Sequence, residues 1–282
     1  MSLCPKVSIY LISYNREDHV YRAVSSALSQ TYSNIEVIIV DDHSNIPVVE
    51  IIAKLIERSP NLIKVIRNES NMGACKSRNI AISNCTGEFI TGLDDDDYFH
   101  EDRVKLFIDN WNDKYSMLCS GYTIIAPNNK IVVNRKGVKI SLNDILGRNI
   151  VGNQIFTRTI KMKNLLFRED LKSGQDYDTW IRFINKYGAG WRIPYCTIFI
   201  DKTNTVRISN IGNKYAGYRD VFERYKHLMS PSQRASHELS INMMTDKVQL
   251  THLFTTRGLA NKIRIFKYLI FYKIFQMKHL YE

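Results

Sequence analysis

Val7–Ser13 reads VSIYLIS and Ile35–Asp42 reads IEVIIVDD. Each is a short apolar run that stops abruptly in polar residues, the first at Ser13-Tyr14-Asn15 and the second at Asp41-Asp42. Unbroken apolar runs of this length, unlike alternating ones, belong to strands buried on both faces. Between them, from Asp18 or a neighbour through Gln30, the sequence has a helical pattern. A strand, a helix and a second strand of this kind predict parallel pairing through a right-handed crossover.

The same alternation continues outward. Pro47 opens a helical pattern with Val48, Ile51, Ile52, Leu55 and Ile56 at three- and four-residue spacing. Ile63–Ile66 reads as a strand, Ala74–Ser83 as a helix ending near Gly87, and Phe89–Leu93 as a strand that runs into Asp94-Asp95-Asp96-Asp97. His100–Trp111 reads as an amphipathic helix. In the second half, Ser116–Ala126 and Lys130–Asn134 are expected to pair around Pro127-Asn128-Asn129, and Asp176–Tyr187 reads as a helix with Trp180, Ile181, Phe183 and Ile184 as apolar contacts. The expectation is an α/β fold, a mostly parallel sheet with flanking helices in layers. In such sheets ligands gather at the carboxyl ends of the strands, and there the acidic motifs fall.

Composition narrows the class. The chain has 282 residues, 44% of them apolar, enough for a sizeable core. The five cysteines, Cys4, Cys75, Cys85, Cys119 and Cys196, include no CxxC pair and read as reduced thiols. Met1–Lys6 leads straight into a strand with no signal-peptide pattern, and no stretch approaches the ~20 apolar residues of a membrane span. A cytoplasmic location is therefore expected. The net charge of +11 is uneven, because Asp201–Glu282 carries 14 Lys/Arg against 6 Asp/Glu, a net +8, leaving +3 for the first 200 residues. A basic segment suits nucleic acid, an anionic membrane or plain solubility. The lack of a nucleic-acid-binding motif and the acidic strand ends argue against nucleic acid.

Four adjacent carboxylates at a strand end repel one another, and a hard divalent cation, Mn²⁺ or Mg²⁺, relieves this. The alternative is a solvated acidic turn or helix N-cap. At Asp41-Asp42 a carboxylate can accept a base N–H or a ribose hydroxyl, or can instead build an Asx-type turn before Pro47. Tyr14 can stack on a base or be an ordinary loop tyrosine. Asn71-Met72-Gly73 leads to Arg78, whose guanidinium suits a diphosphate but is also common on helix surfaces.

Together these pieces resemble family 2 glycosyltransferases. The likeness is carried by Lys6–Asn45, by Asn71–Asn79 (NMGACKSRN) and by Gly87–Arg103 (GEFITGLDDDDYFHEDR), and runs unbroken through about the first 110 residues. It is strongest to bacterial enzymes that build spore-coat, capsule and O-antigen polysaccharides. The resemblance implies a GT-A fold with a mainly helical C-terminal extension. It places a catalytic domain at residues 1–215, with a nucleotide-sugar-binding half (1–115) and an acceptor-binding half (116–215), and a basic helical extension at 216–282. It implies inverting transfer from a UDP-sugar to a hydroxyl of a saccharide acceptor, often lipid-linked.

The resemblance also assigns site residues. Tyr14 and Asp42 would contact the base, with Ser13, Asn15, Asp41, Asn71 and Gly73 around the nucleoside and Arg78 near the uracil or diphosphate. Asp96 would bind the metal with Asp94, and Asp94 or Asp95 the ribose or a metal-bound water. Gly174–Trp180 (GQDYDTW) resembles a later family motif, with Gln175 where a glutamate is usual. Asp176 would be the base that takes the acceptor proton, or a helix cap. Arg207 is expected on a loop over the diphosphate. A sugar nucleotidyltransferase is an alternative enzyme, but a Gly-rich, lysine-containing signature would be expected where Ser13-Tyr14-Asn15-Arg16 stands. Asn261–Glu282 combines Ile263, Phe266, Ile270, Ile274 and Met277 in one imperfect helical stripe with five Lys/Arg from Lys262 to Lys278. It suits peripheral association with the inner face of an anionic membrane, or docking on the catalytic domain or on a homodimer partner.

Overall fold

A computed structural model describes residues 4–127, 129–171, 173–203, 211–245, 247–249 and 258–270. Its strands are β1 (Val7–Ser13), β2 (Ile35–Asp41), β3 (Ile63–Arg67), β4 (Phe89–Asp94), β5 (Asp97–Phe99), β6 (Leu118–Ala126), β7 (Asn129–Val133), β8 (Val138–Ile140), β9 (Phe156–Arg158) and β10 (Gly190–Asp201). The helices are α1 (Glu17–Leu28), α2 (Val48–Ile51), α3 (Ala53–Arg58), α4 (Ala74–Asn84), α5 (Arg103–Asp109), α6 (Leu142–Gly147), α7 (Thr159–Lys163), α8 (Gln175–Tyr187), α9 (Ile211–Tyr225), α10 (Pro231–Met244) and α11 (Leu259–Lys267). The chain forms two compact units, described separately below.

The first unit, with described residues 4–127, 129–145, 150–171 and 175–203, holds the sheet. Strand order is β3-β2-β1-β4-β9-β6-β10-β5, with β7 beside β6 and β8 beside β10. The pairs β1–β2, β1–β4, β2–β3 and β6–β10 are parallel, and β5–β10, β8–β10, β4–β9 and β6–β7 are antiparallel. The fold class and the hairpin around residue 127 thus match the sequence reading. The apolar runs are buried as expected, with Val7, Ile9, Leu11, Val37 and Ile39 wholly inaccessible. Val20, Ala23, Val24 and Ala27 of α1 pack in the same core as these strands.

Three details differ from the sequence reading. The helix after Pro47 is broken at Ile52 into α2 and α3. The helix expected from His100 starts at Arg103. Before it lies β5, which pairs antiparallel with Ile198–Ile200. A three-residue strand that depends on a partner about 100 residues away leaves no periodicity to read.

The second unit, with described residues 146–149, 173–174, 211–245, 247–249 and 258–270, contains α9, α10 and α11. The N-terminus of α10 is fixed by Pro231 and a reciprocal Ser230–Gln233 capping box. Leu239, Val248, Ile265 and Tyr268 form its small core. Arg264 donates to the Ser236 and Ser240 hydroxyls at 2.9 and 2.8 Å. The opposite face of α11 exposes Leu259, Ile263 and Phe266. Of the expected tail stripe, Ile274 and Met277 lie outside the described residues. Among those described, no helix is long and apolar enough to cross a membrane.

Candidate active site

Strand register brings the acidic motifs into one row. Ser13 lies beside Asp41, Asp41 beside Arg67, and Ile12 beside Asp94. Parallel strands therefore deliver residues far apart in sequence to one edge of the sheet, the edge where ligands bind in open α/β folds.

Asp41, expected near the nucleoside, is engaged within the protein. It is 1% exposed, and Oδ1 accepts from the Ser44 amide at 2.8 Å. Oδ2 accepts from the Val48 amide at 3.1 Å and from Arg67. With both oxygens engaged, its carboxylate holds the loop that turns into α2. Asp42, also buried, organises the next loop. Its Oδ1 accepts from Asn68 Nδ2 and the Met72 amide, both at 2.8 Å, and its Oδ2 from the Gly73 amide at 2.9 Å. Gly73 has φ +84°, a conformation that side chains disfavour, and leads directly into α4. Asn71 is exposed on this loop.

Tyr14 is 40% exposed at the end of β1. Its loop is tied down by Asn15, whose amide donates to Ser44 Oγ at 3.0 Å and whose Oδ1 accepts from the Asn45 amide at 2.8 Å. The side chains of Tyr14 and Asn15 thus stand on a loop cross-braced to that of Asp42, and Ser13 beneath them is buried.

The four aspartates separate into distinct environments. Asp94 is held on Oδ1 by Arg78 Nη2 at 3.1 Å and Gln154 Nε2 at 2.9 Å, and more loosely on Oδ2 by Asn153 Nδ2 at 3.3 Å. Asp95 is pushed up to about 7 by burial, an effect that the Ser13 hydroxyl and Arg16 oppose and that Asp96 and Asp94 reinforce. Asp96 is raised by burial and by Asp94, yet its side chain is 44% exposed, with Arg16 at 3.9 Å. Asp97, buried in β5, is raised well above the usual carboxylate range, first by burial and then by Asp94 and Asp96. Like charges held this close together favour any cation that joins them.

Asp176 is the second residue of α8. Asp178, on the same turn, is fully buried and neutralised by Arg168 at 3.2 Å and Arg182 at 2.8 Å. Asp176 has no such cover. Its Oδ1 is shut off from solvent with no hydrogen-bond partner. Burial lifts its carboxyl to about 7, opposed by Arg78 and assisted by Asp94. Arg78 thus acts on both Asp94 and Asp176, and the two hold it charged against its own burial. One of its terminal nitrogens, Nη1, is buried without a partner. Gln175 turns away from this centre, donating to the Leu171 carbonyl at 3.2 Å.

Several site residues are not legible from sequence motifs. Gln154 reaches Asp94 from 60 residues away, and its Oε1 accepts from the Tyr10 hydroxyl at 3.3 Å. Gly92 makes this possible, since a Cβ there would lie 1.9 Å from Gln154 Oε1 and 2.5 Å from the Tyr10 ring. Asn68, Arg67 and Arg16 were likewise unmarked. Arg207 lies outside the described residues.

Residues 8–173 match the sequence profile of glycosyl transferase family 2. The chain belongs to this family. Membership sets aside the nucleotidyltransferase and nucleic-acid readings. A relative of Escherichia coli K12, the glycosyl transferase WcaA, named for colanic acid biosynthesis, is 30% identical over 276 residues, covering 92% of this chain and 98% of that one. The chondroitin synthase of Pasteurella multocida is 30% identical over 183 residues, 63% of this chain but 19% of that longer protein. Among solved structures, residues 1–349 of S. aureus TarS in complex with UDP superpose with a TM-score of 0.65 at 21% identity, over 92% of this chain and 80% of that one. The same protein in complex with UDP-GlcNAc gives 0.64. At that identity the likeness establishes the fold, a GT-A architecture with a helical C-terminal region.

Proposed function

We propose that this family 2 enzyme is an inverting glycosyltransferase that moves a hexose from a UDP-sugar to a hydroxyl of a saccharide acceptor in bacterial surface polysaccharide synthesis. The observation that carries this reading is Asp176: a carboxylate oxygen without a partner, beside the charged Arg78 that also grips Asp94 at the end of β4. The WcaA relationship, near full length on both sides, supports the polysaccharide context. The UDP and UDP-GlcNAc complexes of TarS support the donor class.

In this reading Tyr14 stacks on the uracil and Asp42 meets its N–H through Oδ2, which carries one protein donor where Oδ1 carries two. Asp176 accepts the acceptor O–H proton as that oxygen attacks the anomeric carbon. The bond to the diphosphate breaks on the opposite face, and UDP leaves with the electron pair. Arg78 offsets charge shared among Asp94, Asp176 and the departing phosphates. The catalytic domain is assigned to residues 1–215 and a basic extension to 216–282.

The residues fit a divalent cation. Asp96 offers a part-exposed carboxylate whose proton affinity is raised by burial and by repulsion from Asp94, against the pull of Arg16. Among the described residues no group of three or more His, Cys, Asp or Glu forms a metal cage. Mg²⁺ or Mn²⁺ does not require such a cage, because one or two carboxylates can hold it with substrate phosphates and water completing its shell. Asp96 would hold the ion, while Asp94, with Oδ1 engaged by Arg78 and Gln154, would add negative charge beside it. When bound, the ion would neutralise charge developing on the leaving diphosphate.

The acceptor is assigned as lipid-linked and the enzyme as cytoplasmic, peripheral on the inner face of the membrane. Support comes from α11, which presents Leu259, Ile263 and Phe266 to solvent beside the exposed Lys262 and Lys267.

Calorimetry of UDP binding tests the site. Affinity is expected to rise with Mn²⁺ in the wild type and to lose that dependence in Asp96→Ala. Equal affinity with and without metal in the wild type would remove the cation from the proposal.

A further inference from the structure

We propose that Asn153 contacts the donor sugar directly and helps decide which hexose is accepted, its amide working as a pair with Asp94. The inference rests on the UDP-sugar reading and adds to it a specificity residue that no motif marks.

The geometry points to Asn153 in three ways. First, Asp94 is unevenly used. Oδ1 carries two donors, Arg78 and Gln154, at 3.1 and 2.9 Å. Oδ2 has only Asn153 Nδ2, at 3.3 Å, beyond the usual range for an amide donor. An oxygen so loosely held can accept from another group.

Second, Asn153 is exposed while its backbone is fixed on both sides. Gly152 has φ +93°, and its carbonyl accepts from the fully buried Trp180 Nε1 at 3.0 Å. Gln154 is 5% exposed and seated over Gly92 between Tyr10 and Asp94. A polar side chain presented from so rigid a base loses little freedom when it makes a hydrogen bond.

Third, the chemistry suits a sugar. A hydroxyl is both donor and acceptor. Beside this pair it can donate to Asp94 Oδ2 and accept from Asn153 Nδ2, while Asn153 Oδ1 remains to accept from a neighbouring hydroxyl. A carboxylate and a carboxamide together therefore read two adjacent hydroxyls and their orientation, the feature in which hexoses differ. A site built to hydrogen-bond a hydroxyl discriminates strongly against a sugar that places it elsewhere.

The test is hydrolysis of a panel of UDP-hexoses, UDP-glucose, UDP-galactose and their N-acetyl forms, by the full-length wild type, Asn153→Ala and Asn153→Asp, with UDP affinity and melting temperature measured for each. For the preferred donor, kcat/KM is expected to fall about 10- to 100-fold in Asn153→Ala. Ratios between donors should change, while UDP affinity stays within about twofold and melting is unchanged. Three outcomes would overturn the inference: unchanged ratios between donors, a parallel loss of UDP affinity, or a loss of melting temperature that accounts for the activity. A wild type that hydrolyses no UDP-hexose at all would overturn the underlying donor reading along with it. Selectivity in the wild type that survives in both variants would overturn the role of Asn153 alone.

Discussion

Asp42→Asn isolates electrostatics from shape, because the amide replaces the carboxylate atom for atom. In the wild type the carboxylate is buried and accepts from Asn68 Nδ2, the Met72 amide and the Gly73 amide. However the new amide is oriented, its NH₂ group faces at least one donor. If it takes the Oδ2 side, the Gly73 N–H is orphaned, and if it takes the Oδ1 side, Met72 and Asn68 are. A buried unsatisfied donor costs about 1–3 kcal/mol, and the surviving bonds lose their charge assistance, about 1 kcal/mol more. The expected destabilisation is roughly 3 kcal/mol, seen in thermal melting as a fall of about 6–12 °C for a chain of this size. Because the same loop carries Gly73 into α4 and so positions Arg78, UDP affinity should fall as well. A variant that melts within about 2 °C of wild type and binds UDP equally well would refute the role given to Asp42 as organiser of this loop.

Two further outcomes follow from the structure. Asp176 carries a raised carboxyl, about 7 in the free protein, and only its ionised form can take a proton. Donor turnover should therefore climb about tenfold per pH unit below 7 and level off above it, and a profile flat from pH 5.5 to 8 would contradict the base assignment. On α11, replacing Leu259, Ile263 and Phe266 together by serine should abolish co-sedimentation with anionic liposomes at low salt while leaving UDP-sugar hydrolysis unchanged. Sedimentation of the wild type that ignores lipid charge and salt would count against the membrane surface.

Much of the fold was legible because the parallel half rests on uninterrupted apolar runs, whose burial needs no distant partner to be recognised. VSIYLIS, IEVIIV and FITGL announced β1, β2 and β4 almost to the residue. What could not be read depends on pairing across the chain. β5 exists because Ile198–Ile200 lie beside it, and the break at Ile52 is a matter of local backbone geometry. The site divides in the same way. The Asp42 loop, the aspartate run and Asp176 stood out as motifs. Asp41 could be read as a nucleoside contact or as part of an Asx-type turn, and its partner across the sheet, Arg67, which donates to its carboxylate, carried no motif of its own. Gln154 and Asn153 reach Asp94 only through the chain's return along β9, and the one local trace of that approach is the missing side chain at Gly92.

Whether a UDP-sugar is consumed at this site with Asp176 as the base is decided by donor turnover of the wild type and Asp176→Asn, measured side by side with UDP affinity. The wild type is expected to hydrolyse at least one UDP-hexose in the presence of Mn²⁺. Asp176→Asn should lower kcat by a factor of roughly 100 or more while UDP affinity stays within about twofold, as for a group that acts in the transition state. Near wild-type turnover in Asp176→Asn, or a loss that merely follows weaker UDP binding, would contradict that role for Asp176.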